Sequence, residues 1–144
     1  MEIRHAKNAD LPVLAELAEK LWPGNGEGEL LEAFSGLMEN GAAFFLAQEK
    51  GVPAGFAQCQ LRRDYVEGTS SSPVGYLEGI YVEPSYRNQG LAAALLKACE
   101  EWAKGRGCRE FASDCELDNA RSLGFHLAMN FEEANRIICF TKQL

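Results

Sequence analysis

An apolar run that ends in a proline turn, with a glycine then opening an amphipathic helix, most restricts what this chain can fold into. Tyr76 to Val82 form the run, Glu83-Pro84 breaks it, and a helical periodicity begins at Gly90. Strand, loop and helix in that order leave the first-turn N–H groups unpaired at the positive end of the helix dipole. Such an end suits a phosphate. Gly90 has no Cβ, so a ligand can come close to the main chain there.

The loop is neither Gly-x-x-x-x-Gly-Lys-Ser/Thr nor Gly-x-Gly-x-x-Gly, which excludes the two usual nucleotide motifs. Arg87-Asn88-Gln89-Gly90-Leu91-Ala92 instead fits Arg/Gln-x-x-Gly-x-Gly/Ala. In its strand–helix setting it resembles the pyrophosphate loop of the GNAT superfamily of acyl-CoA N-acyltransferases. The competing reading is an ordinary strand–helix connection.

A chain of 144 residues is long enough for one domain with a sizeable core, so residues 1–144 are expected to form a single domain. Its 47% hydrophobic and 24% charged residues are those of a soluble globular protein. No apolar run approaches the roughly 18 residues of a membrane span. Met1-Glu2-Ile3-Arg4 lacks a signal-peptide pattern, and a cytoplasmic location is expected. The cysteines (59, 99, 108, 115 and 139) are odd in number and form no Cys-x-x-Cys pair, which argues for free thiols and against zinc. A net charge of −7 disfavours nucleic acid. Between Asp64 and Tyr86 lie four carboxylates and no Lys or Arg, and Glu110 to Asp118 repeats that count. Acidic clusters usually solvate a surface; two of them around a site would attract cations.

The remaining pattern predicts a strand at Ile3–His5, then a helix bearing Leu11, Leu14, Leu17, Ala18 and Leu21, capped by Asn8 or Asp10. A second helix is expected over Glu27–Glu39. A hairpin, Ala43–Gln48 and Ala54–Arg62, turns at Lys50-Gly51. After the Tyr76–Val82 strand come a helix at Leu91–Lys104, a strand at Glu110–Asp114, a helix at Asn119–Met129 and a last strand at Arg136–Lys142. The order is α+β with one mixed sheet, which is also the element order of the GNAT fold: a mixed central sheet with a splayed strand pair and helices on both faces.

That resemblance implies more. The strand before the loop would carry a bulge, which Gly79 tolerates, and would splay from its neighbour to admit pantetheine. Main-chain groups of Ile80, Tyr81 and Val82 would pair with the pantetheine arm. Those of Gln89, Gly90, Leu91 and Ala92 would hold the pyrophosphate, with Arg87 and Asn88 in the same loop. Acetyl-CoA is the implied co-substrate.

Glu78 stands out, because its alternation with Tyr76, Ile80 and Val82 points it to one face of a central strand. A carboxylate there needs a cation or hydrogen bonds. Either a salt bridge satisfies it, or it takes a proton from a substrate ammonium. Asp114 at the end of the next strand could share that substrate, or could cap.

Leu21-Trp22-Pro23, Arg63-Asp64-Tyr65-Val66-Glu67-Gly68, Ser71-Ser72-Pro73-Val74, Leu77-Glu78-Gly79-Ile80-Tyr81, Glu101-Trp102-Ala103-Lys104 and Ala112-Ser113-Asp114 together resemble the aminoglycoside 6'-N-acetyltransferases. The likeness implies that Trp22, Tyr65, Glu78 and Asp114 line the aminoglycoside pocket and that Asn119 contacts the coenzyme. Trp22 could equally be a core residue. Flat rings and acidic clusters are suited to polycationic sugars. Three positions depart from the pattern. His126 stands where many relatives carry a tyrosine general acid, and a packed histidine is its other reading. Asn130 replaces a glycine whose positive φ it can adopt, and Asn135 stands where some relatives have an acidic pocket residue.

The expected activity is acetyl-CoA-dependent acetylation of the 6'-amino group of aminoglycosides, conferring resistance. Transfer would be direct, in a ternary complex, by a protein that is a dimer as relatives commonly are. Acetylation of another cationic amine, or non-catalytic acyl-CoA binding, are the alternatives.

Overall fold

Alternation along one strand decides how the layers stack. The computed structural model describes residues 1–144. In strand β2 (Ala43–Glu49), Ala43, Phe45 and Ala47 join one buried cluster while Phe44 and Leu46 join another. That is the period of two expected of a strand buried on both faces. β2 pairs antiparallel with β1 (Glu2–His5) and with β3 (Val52–Arg62). β3 in turn pairs antiparallel with β4 (Val74–Val82), and β5 (Phe111–Ala112) adds parallel to β4. The five strands lie in sequence order in one mixed sheet.

Helices cover both faces. α1 (Leu11–Leu21) and α2 (Glu27–Glu39) bury Leu14, Leu17, Ala18, Leu30 and Phe34 against Phe44, Leu46 and Phe56. α3 (Leu91–Gly105) buries Leu91, Leu95, Leu96, Cys99 and Trp102 on the opposite face. Phe125 and Met129, at α4 (Ala120–Ala128) and its end, pack partly against that second cluster. Truncating a fully buried ring such as Phe44 or Phe56 typically costs about 3–5 kcal/mol. No helix is long and apolar enough to cross a membrane.

The local signals are mostly where the residues demanded them. β2 and β3 are joined by the two residues Lys50 (φ 49°) and Gly51 (φ 82°), the positive-φ pair of a type I′ hairpin. α4 ends in a Schellman motif, with Phe131 N–H donating to His126 O at 3.0 Å and Asn130 N–H to Leu127 O at 3.2 Å. Asn130 takes the left-handed position at φ 69°.

Two of the expected strands need correction. The strand predicted at Arg136–Lys142 is absent, and residues 131–144 carry no secondary structure. No strand of the same chain lies alongside it, and a strand without a partner leaves its backbone groups to water. β5 is also shorter than Glu110–Asp114, holding its two residues only where β4 pairs with it.

Asp10 precedes α1 but makes no cap bond to it. Its carboxylate instead accepts from both terminal nitrogens of Arg4, at 2.7 and 2.8 Å, and from the Lys7 N–H at 2.8 Å. The bond to Arg4 holds its pKa at about 2, below the ordinary 3.8. A depressed carboxyl contributes stability above its ordinary pKa and loses it as the pH falls through the depressed value. Asp10→Ala should therefore lower urea-measured stability by about 1–2 kcal/mol at pH 7. The difference from wild type should shrink as the pH falls from about 4 to about 2.

Candidate active site

β4 and β5 pair at only two positions, Gly75 with Phe111 and Tyr76 with Ala112. Beyond Tyr76 the strands part, and the β5-facing edge of β4 has no ladder partner. The opposite edge of β4 stays paired to β3, with a register shift: Gln58 faces Gly79 whereas Cys59 faces Leu77. Glu78 is thus the extra residue of a β-bulge. Leu77 and Val82, an odd number of residues apart, both enter the core on the α3 face, which a regular strand would forbid. The expected alternation of Glu78 with Ile80 and Val82 is therefore wrong. Glu78 stays with Tyr76, and Ile80 and Val82 turn to the other face because the bulge inserts one residue between them.

On the Glu78 side, the ring of Trp22 covers Gly79. A Cβ on Gly79 would lie 2.5 Å from Trp22 Cη2 and 2.8 Å from Cζ2. Trp22 follows the last residue of α1 and meets Phe34 and Phe56 edge-on, with centroids 6.5 and 6.4 Å away. It is at once part of the core and the lining beside Glu78.

Glu78 and Asp114 belong to one connected group. An Arg62 terminal nitrogen lies 2.9 and 3.2 Å from the two Glu78 oxygens. The Arg62 guanidinium stacks on the Tyr76 ring at 3.5 Å, and the Tyr76 hydroxyl donates to Asp114. Burial, and then the bond to Asp114, push the Tyr76 pKa up, so the phenol stays a donor through the neutral range. The Arg62–Glu78 pair is partly open, with side chains 39% and 21% exposed. Such a pair is worth no more than about 1 kcal/mol.

On the other side of the gap, His126 Nδ1 is 2.7 Å from Ser122 O. A carbonyl only accepts, so Nδ1 carries the proton. Nε2 is 2.8 Å from the Ser113 hydroxyl, which also reaches the Leu77 carbonyl at 3.3 Å. Ser113 therefore bridges β5, β4 and α4 where the strands begin to part.

Past Val82 a 3-10 turn, Pro84–Tyr86, leads into the loop. Asn88 has φ 63° and Gly90 φ 78°, the left-handed conformation in which glycine carries no steric cost. No side chain caps α3, whose first bond runs from Ala94 N–H to Gly90 O at 3.1 Å. The N–H groups ahead of it have no helical partner, an arrangement that suits an anion. Arg87 turns inward, its Nε donating to Val82 O at 2.8 Å.

The other predicted residues take identifiable places. Asn119 caps α4, accepting from Ser122 N–H at 3.1 Å. Tyr65 is 79% exposed and bonds Glu67, on a loop anchored by the burial of Val66 against Val74 and Tyr76. Asn135 accepts from Arg136 N–H at 2.8 Å, and its neighbour Ala134 lies over Gly68 of that same loop. Sequence reasoning missed Arg62, Tyr76 and Ser113 as parts of the site. The usable signal was the cation that Glu78 needed: Arg62 closes the strand that pairs with β4, and Arg63 follows it.

The acetyltransferase (GNAT) family model matches residues 11–131. The chain belongs to that family. It is 40% identical to an aminoglycoside N(6')-acetyltransferase type 1 of Salmonella typhimurium, over 99% of each chain. It is 41% identical to one of Stenotrophomonas maltophilia, over 99% of this chain and 93% of that one. Its fold superposes on AAC(6')-Iy in complex with the bisubstrate analog CoA-S-monomethyl-acetylneamine, with a TM-score of 0.93 and 39% identity, covering 99% and 98% of the two chains. AAC(6')-IG of Acinetobacter haemolyticus superposes with a TM-score of 0.94 at 38% identity, covering 100% and 99%.

Gly79→Ala should destabilise the protein by about 1–3 kcal/mol, because the Trp22 ring must move, and should change the tryptophan fluorescence. In a Trp22→Ala background that cost should disappear in urea titrations. A cost unchanged in the double variant would show that Trp22 is not what Gly79 accommodates.

Proposed function

We propose that the chain is an acetyl-CoA-dependent N-acetyltransferase, acting on the 6'-amino group of aminoglycosides and conferring resistance to them. One observation carries the reading: two carboxylates stand where β4 and β5 part, and β4 leads through its loop into an uncapped helix start, in a chain alike from end to end to named aminoglycoside acetyltransferases. Residues 1–144 are proposed to act as one acetyltransferase domain, in the cytoplasm.

The coenzyme fits the residues present. The free edge of β4 at Ile80, Tyr81 and Val82 matches an amide-bearing pantetheine arm, and the loop from Arg87 and Asn88 through Gln89, Gly90, Leu91 and Ala92 matches a pyrophosphate. Asn119, at the start of α4, is assigned a contact from the far side. Acetyl-CoA supplies an acetyl thioester for direct transfer in a ternary complex, with no covalent enzyme intermediate.

Only a neutral amine attacks, so Glu78 takes the proton of the substrate ammonium, directly or through water. Asp114 holds positive charge next to it. His126 is assigned the return of a proton on the thiol side. Trp22 and Tyr65 offer flat faces to sugar rings and cations, with Asn135 at the rim.

Thiol release from acetyl-CoA with kanamycin or tobramycin, absent with spermidine and with peptide N-termini, is the expected result. Activity confined to spermidine or peptides would reassign the substrate, and coenzyme binding without any turnover would sink the enzyme reading. Glu78→Gln and Asp114→Asn should each reduce kcat/KM by about a hundredfold. Coenzyme affinity, measured by calorimetry, should change little in either.

The protein is further proposed to be a homodimer. Ile137, Ile138 and Phe140 are 67%, 81% and 87% exposed on a segment whose sequence reads as a strand, and such a segment favours pairing with another chain. Sedimentation should give twice 15.8 kDa, and Ile138→Asp with Phe140→Asp should give monomers.

A further inference from the structure

Glu78 does not stand open in the structure. Arg62 reaches it from β3 with one terminal nitrogen near both carboxylate oxygens, at 2.9 and 3.2 Å, which is where an ammonium would bind. The two predicted carboxylates are therefore unlike. The charge of Glu78 is met by a guanidinium, whereas Asp114 bonds only the uncharged Tyr76 hydroxyl and has no cationic partner.

We propose that Arg62 determines specificity: it holds the ammonium position of Glu78 until a polycationic amine displaces it, so that amines bearing several charges are selected over amines bearing one. The inference rests on the assignment of Glu78 to the reacting amine. A single ammonium in solution competes with a cation tethered beside Glu78, whose effective concentration is high. A polycation anchors one ammonium at Asp114, on the hydroxyl of the ring that carries Arg62. Its charge there repels the guanidinium and lowers the cost of displacing it by a second ammonium at Glu78. Arg62 can yield because the pair is partly solvated and the Tyr76 face, at 3.5 Å, keeps the guanidinium partnered once Glu78 lets go.

The test compares kcat/KM for kanamycin and for 6-amino-6-deoxyglucose, which bears one amine, in wild type and Arg62→Gln. The preference for kanamycin should fall by up to about fivefold in the variant, because the monoamine gains more. An equal change on both substrates, whether loss or gain, would mean that Arg62 does not discriminate between them, and would overturn the proposal. A second readout uses the unaltered protein. The Arg62 Nε–H resonance should move on addition of a polycation, kanamycin or spermidine, and stay still with the monoamine at equal concentration. No movement at saturating polycation also overturns it. Movement with spermidine in a protein that turns over no aminoglycoside would keep the role of Arg62 and discard the proposed substrate.

Discussion

The parting of β4 from β5 is the constraint on which the site depends. A strand inside a sheet normally has both edges paired, and every buried N–H or C=O without a partner costs free energy. Here the ladder to β5 stops at Tyr76 while the ladder to β3 continues to Val82. β4 is held rigidly on one side and left open on the other, over the residues next to the α3 start. Ser113 and Arg87 occupy the Leu77 and Val82 carbonyls at the two ends of that stretch. The main chain between them faces the gap, so an amide-bearing ligand can complete the sheet as a missing strand would.

The bulge at Glu78 has a separate consequence, because it redistributes side chains between the faces. By adding one residue it keeps Glu78 beside Tyr76 and Arg62 and sends Ile80 and Val82 into the α3 core. The next position must then be glycine, since Trp22 occupies the space of a side chain there. Core packing and site chemistry are thus coupled through one ring. Trp22 fixes the end of α1 against Phe34 and Phe56 and also covers β4 at the position next to Glu78.

Much of this was legible in the chain, and what was not has a common cause. The helices, the Lys50-Gly51 hairpin and the Gly90 loop are encoded by residues close in sequence, and periodicity and positive-φ preference report them directly. Asn130 closing α4 belongs to the same class. A bulge, by contrast, is a mismatch between two strands, and alternation read along β4 alone places Ile80 and Val82 on the wrong face. Arg62 and Tyr76 meet Glu78 and Asp114 only through strand pairing, so no spacing rule reveals their contacts. Ile137, Ile138 and Phe140 read as strand because their residue types are strand-like, but a strand exists only beside a partner edge, and this chain offers that segment none.

The charge arrangement explains why an acidic protein need not present an indiscriminate acidic site. The net charge of −7 is spread over many carboxylates, several of them already paired: Asp10 with Arg4, Glu83 with Lys20 and Glu78 with Arg62. Tyr76, held protonated, gives Asp114 a hydrogen bond without cancelling its charge. The group thus has one carboxylate with no cationic partner and one whose charge Arg62 meets until it leaves. A ligand with well-separated ammonium groups can satisfy both in turn, and a lone cation reaches only the first. The spacing of charge, more than its amount, is what this arrangement can read.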